Sequence, residues 1–170
     1  KSEDLDKLSY NSSNKPVDFE NWVTLMRLNL ESRHSQLSAW WDVMYRRALL
    51  AYEDYLQLPP LARADIRPTM EGFNVVNFTV ERYMRRHLMR LMPQHVQKTL
   101  IRQKEVSCAD IVFQALVDAG PGTEADRTST LYSVVSKGGP VAPREAYERL
   151  QRWRVDMQRL CALGLHPPDP

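Results

Sequence analysis

Apolar side chains recur at steps of three and four along most of this chain, and no run of four or more residues alternates apolar with polar between turn signals. The first pattern marks helices with one buried side; the second, which is missing, would mark strands. Val75-Val76 and Val134-Val135 are too short to found a sheet. The chain therefore reads as all-α, a compact bundle of six to eight helices with short connections. Its 170 residues make one domain or two small lobes. A domain of this size buries roughly 70% of its unfolded surface and needs no covalent staple.

Punctuation places the helices. Residues 1–15 are polar and read as a disordered or extended tail, too poor in apolar surface to pack. Asp18 can cap a first helix with Trp22, Leu25, Met26, Leu28 and Leu30 on its buried side. Ser38 can cap a second, whose stripe includes Trp41, Met44, Tyr45, Ala48 and Tyr52, and which Pro59-Pro60 ends. Leu61 to Ile66 fits one helical turn, and Pro68 to Asn74 a loop. Val76, Val80, Met84, Leu88 and Leu91 mark a third long helix; Pro93 breaks it, and Val96, Leu100 and Ile101 continue an apolar face. Ser107 with Asp110 is a capping-box-like start for the stripe Cys108, Ile111, Val112, Ala115, Leu116 and Ala119.

Gly120-Pro121-Gly122 is the strongest stop in the chain. Thr123 can cap a helix through Leu131, Val134 and Val135, closed by Gly138-Gly139-Pro140. The last helix begins at Pro143, where a missing N–H costs nothing. It is read to bury Tyr147, Leu150, Trp153, Met157 and Leu160, to turn Arg144, Arg149, Arg152 and Arg159 toward water or a partner, and to end at Gly164. The divisions are a tail over 1–15, an N-terminal helical lobe over 16–120, and two further helices over 121–170 that start a second lobe or close the same domain.

Several function classes lose support. The formal charge of +2 does not by itself point to nucleic acid or membrane. No apolar run approaches the ~20 residues that cross a bilayer, and no signal peptide opens the chain. Cys108 and Cys161 are isolated thiols, which fit a reducing cytoplasm. His34, His87, His95 and His166 are scattered; His87 reads as a boundary histidine with a hydrogen bond, and no metal site is expected. The glycine pairs lack the lysine or third glycine of a nucleotide loop. No catalytic residue and no cofactor is expected, so the chain reads as non-enzymatic. It opens without Met and closes on a proline-rich run, as a piece of a longer protein does.

Two features remain as candidate contacts. Between Thr79 and Glu105, seven basic residues stand against two acidic ones, with Arg82, Arg86 and Arg90 four apart in one stripe and Arg85 beside them. They fit phosphate contact, Arg being the fork-shaped donor, or a solvated face paired with acidic residues from elsewhere; aromatic residues are not interleaved as a stacking platform requires. Trp40 and Trp41 sit about 100° apart on their helix. Either both are buried by different neighbours, or Trp40 is left for another protein; Arg152 is the other candidate for such an assembly contact.

The order of motifs in the second half resembles the Gag capsid region of copia-type LTR retrotransposons. The helix from Ile111 through Leu116, Arg127 with Leu131, the Lys137-Gly138-Gly139 turn, and Ala146-Tyr147 with Leu150, Trp153, Leu160 and Gly164 carry the likeness. It spans roughly Val80 to the end. The resemblance implies a retroviral-capsid-like helical body without an active site. Such a protein would associate with other Gag copies into a shell that packages retroelement RNA in the cytoplasm. A helical nucleic-acid-binding module using the Arg82–Arg90 stripe, or an adaptor derived from Gag, are the alternatives.

Overall fold

Helix α1 runs Lys15–Arg33 and α2 Ser35–Gln57, followed by a 3-10 turn at Pro60–Asp65; α3 is Phe78–Leu91, α4 Gln94–Ile101, α5 Cys108–Ala119, α6 Glu124–Val135 and α7 Pro143–Ala162. These come from a computed structural model in which residues 5–69, 78–136 and 142–166 are described. No strand occurs among them, and the chain is all-α. Val75-Val76, most of the Pro68–Asn74 stretch and Gly138-Gly139-Pro140 lie outside the described residues. The chain divides into two units, Lys1–Pro121 and Gly122–Pro170.

The first unit is built around α5. Its residues Cys108, Ala109, Ile111, Val112, Ala115 and Leu116 are all buried, with Phe113 and Ala119. A helix apolar on nearly every side belongs in the centre of its domain, and α5 packs against α1, α2, α3 and α4. Its ends match their chemistry. Ser107 and Asp110 close a full capping box, and Gly120 ends the helix in the left-handed region at φ 69°. Gly122, at φ 74°, makes the next turn.

Around α5 runs a seam of rings. Trp22 meets Trp41 edge-on at 6.1 Å, Trp41 stacks on Tyr45 at 6.0 Å, and Tyr55 meets Phe113 edge-on at 6.0 Å. Burial of Trp40 is nearly complete at 8% exposure, and its indole N–H donates to Glu81 Oε2 at 3.3 Å. Trp40 is therefore a core residue and not the outward assembly contact entertained from sequence. Both tryptophans are buried because α2 is flanked on more than one side.

The N-terminal segment also departs from expectation. Residues 5–14 form no helix, but they pack. Leu8 is buried, its N–H donates to Leu91 O at 2.8 Å, Trp22 Nε1 donates to Asp6 O, and Tyr10 donates to Asp118. Two leucines, Leu5 and Leu8, and one tyrosine suffice, because a prepared surface receives them. Capping shifts as well: α1 is capped by Asn14 and α2 by His34, not by Asp18 and Ser38. Along α1 the buried row is Phe19, Trp22, Met26 and Leu30, while Leu25 and Leu28 are exposed. Ile101 is exposed too.

In the second unit α6 and α7 pack together. Asp126 is buried and receives Arg159 through two bonds, Nη1 to Oδ1 and Nη2 to Oδ2, both 2.8 Å. Arg159 Nη1 also donates to Thr130 Oγ1 at 2.7 Å, and Gly122 N–H donates to Asp126 Oδ2. Arg159 thus faces inward, contrary to its reading as a solvent-facing charge. The apolar row of α7 departs further. Leu160 is buried, but Tyr147 is 69% exposed, Leu150 53% and Trp153 37%. The Ser133–Asp156 and Asp126–Arg159 bonds fall in the last third of α7. At 1.5 Å per residue, the 20 residues of α7 outrun the 12 of α6. Leu131 and Val135 of α6 are exposed as well.

Candidate nucleic-acid interface

Helix α3 carries the charge. Its buried row, Met84, Leu88 and Leu91, faces the core. Four-residue steps then place Arg82, Arg86 and Arg90 on the outer side, all exposed. The four arginines singled out from sequence, these three and Arg85, line one open basin of about 1380 Å³. Arg47 from α2, Arg67 from the segment after the 3-10 turn, and Lys104 from the α4–α5 connection join them. Lys98 and Arg102, part of the same basic run in sequence, do not line it.

Three carboxylates, Glu81, Glu105 and Asp110, also line the basin. Two of them are engaged with the scaffold. Glu81 Oε1 accepts the Cys108 N–H at 2.7 Å, at the start of α5, and Oε2 accepts the Trp40 indole. Asp110 Oδ2 accepts both the N–H and the hydroxyl of Ser107. Among the described residues, no carboxylate lies within ion-pair distance of Arg82, Arg86, Arg90 or Lys104. Arg85 is partly anchored, Nη1 donating to Val106 O at 3.4 Å.

Arg47 escaped the sequence reading, although a signal was there. It sits between Met44 and Ala48 on the core-facing side of α2, where a cation needs a reason. It is 3% exposed and its Nε donates to Thr69 O at 2.9 Å. No spacing in the sequence links Arg67 to α3.

The aromatic residues require a correction. Phe78 and Tyr83 of α3 are 81% and 60% exposed. His87 packs its ring on Tyr83 at 4.4 Å, in place of the boundary hydrogen bond expected for it. A second, smaller basin of about 470 Å³ holds these rings and shares Arg82 and Arg86 with the first. Rings are therefore set beside the arginine stripe, and the order of residues already interleaves them, Tyr83 between Arg82 and Arg85 and His87 between Arg86 and Arg90, which corrects the expectation of a run without aromatics.

Burial pushes the Cys108 thiol well above its usual range, the field of Glu81 adding to it, so the sulfur stays a neutral donor to Glu81 O. Among the described residues no three His, Cys, Asp or Glu side chains come together to hold a metal, and no helix is long and apolar enough to cross a membrane. Arg152, the other assembly candidate, is exposed and lies 3.8 Å from Glu148. No family model, no curated protein and no solved structure matches this chain.

Proposed function

We propose that this chain is a non-enzymatic helical protein that grips the phosphate backbone of nucleic acid in the α3 basin. One observation carries the reading: seven cationic side chains from four parts of the fold line a single concavity that holds three carboxylates, two of them turned to scaffold donors. A cleft with an excess of one charge sign, here seven cations against three carboxylates, concentrates counter-ions, and a chain of phosphates is the counter-ion that such spacing suits. The test is fluorescence anisotropy with RNA oligonucleotides across a salt series. Affinity should fall steeply with salt. Replacing Arg82, Arg86 and Arg90 together by Ala should weaken binding and flatten the log–log salt slope by about 2, at ~0.7 per neutralised phosphate. An unchanged affinity and slope in that triple variant would remove the proposal.

A second reading joins the first. Tyr147, Leu150 and Trp153 leave an apolar row of α7 open to solvent, and the resemblance to copia-type Gag supplies an occupant, another copy of the chain. In that reading copies assemble into a shell around RNA, each contact weak and the whole held by repetition. Sedimentation of the chain and of Trp153→Ala over a concentration series tests it. Association that weakens in the variant supports the shell; a monomer at every concentration, with and without RNA, counts against it.

A further inference from the structure

We propose that the α3 site takes a single strand, whose bases stack on the rings beside the arginine stripe while its phosphates lie in the basin. The proposal rests on the phosphate-binding reading above and names the form of nucleic acid.

The geometry of α3 supports it. Phe78, Arg82 and Arg86 follow one another at four-residue steps, and Tyr83 and His87 form the adjacent row. Arg82 and Arg86 border both hollows, the large one lined by cations and the small one by rings. A strand running along this edge would set its charged side and its flat side against matching chemistry at once. Phe78 and Tyr83 stand five residues apart, about 7.5 Å along the helix axis and about 140° around it, so that they flank the arginine stripe.

A phenylalanine left 81% exposed at the start of a helix has no role in the core. A π-face beside a guanidinium is what an unpaired base uses, and it accepts any base because every base has a flat face. A duplex keeps its base faces inside the stack, so it could use only the cations of this site. The ring pair Tyr83–His87 is already in contact, 4.4 Å between centroids and tilted by 47°. Little side-chain freedom is then left to lose when a base arrives.

The experiment compares three probes on the whole chain. They are an oligothymidylate of about twelve nucleotides, within the ~4–16 range of single-strand sites, an abasic strand with the same phosphates, and a hairpin duplex. Two variants accompany the wild type: Phe78→Ala with Tyr83→Ala, and the triple arginine variant. Both altered rings are exposed, so the fold should survive, and circular dichroism checks that. Wild type should prefer the base-bearing strand over the abasic one by about 5- to 150-fold, the range that ~1–3 kcal/mol of stacking represents. In the ring variant that preference should vanish, with the salt slope and the duplex affinity unchanged. Equal binding of the two strands by wild type, or a preference that survives the ring variant, overturns the stacking proposal and leaves the phosphate reading standing. Indifference of every probe to the arginine variant overturns both.

Discussion

Arg86 stands four residues from Arg82 on one side and four from Arg90 on the other. Like charges at that spacing each destabilise a helix by about 0.2–0.5 kcal/mol. Arg86→Ala removes two such pairs, and Ala is also the better helix former. It should therefore raise stability in low salt, by about 0.4–1 kcal/mol in urea titrations, while weakening oligonucleotide binding. A variant that lost both stability and affinity would show that Arg86 serves the fold. Arg159 should behave in the opposite way. It meets a buried carboxylate through two parallel bonds, and its removal strands Asp126 in the interior. Arg159→Ala should cost about 3–5 kcal/mol, seen as lost amide protection in α6 and α7 in hydrogen exchange. Protection equal to wild type would mean that water readily reaches Asp126.

At the scale of elements, α5 was the most legible. Its stop, its capping box and six of its eight buried residues stand in the sequence reading, which leaves out Ala109 and Phe113, because a central helix needs apolar residues on every side and neighbours cannot reassign them. α1 was half legible. Trp22, Met26 and Leu30 are buried, but Leu25 and Leu28 lie off that row, and Phe19, which completes it, was passed over. α7 was legible as a helix and not as a packed one, since periodicity states which side is apolar and not whether anything covers it. α3 was read by its charges, and the inward use of Glu81 could not be seen, because its partners lie 41 and 27 residues away. That use makes a prediction. Glu81→Ala adds a net positive charge to the basin, which on electrostatics alone should tighten anion binding. It also strands the Cys108 N–H and the Trp40 indole N–H, at about 1–3 kcal/mol for each buried donor. Thermal melts should show a clear loss of stability. Glu81→Gln should fall between, since its amide still accepts one of the two donors but turns its own N–H₂ toward the other.

For the molecule as a whole, the basin shows what a linear reading omits. Arg82 to Arg90 are one helical stripe and could be found by spacing, whereas Arg47 and Arg67 arrive by way of the packing of α2 and the turn after it. The same packing makes the first unit sensitive to alkali. Cys108 is buried, and burial first, then the field and hydrogen bond of Glu81, raise its pKa well above the usual 9.0. Burial, with Glu20 nearby, pushes Tyr45 from 10.0 up to about 12. Tyr10 is also raised, by burial and by Asp118. A raised acid keeps its proton in the fold where the unfolded chain would release it. The stabilisation is therefore complete below the unfolded value and is lost as pH climbs past it. Stability should hold from pH 7 to about 8.5 and then decline, Cys108 first and the tyrosines above pH 10. For the thiol alone the limiting slope is about 1.4 kcal/mol per pH unit. Urea unfolding at pH 8, 9 and 10, monitored by tryptophan fluorescence, measures it. Cys108→Ala should lower stability at pH 8, through the small cavity it leaves, and remove most of the decline between pH 9 and 10. A decline of the same steepness in that variant would place the alkaline sensitivity elsewhere, and the sealed core around α5 would then be more open to hydroxide than its burial implies.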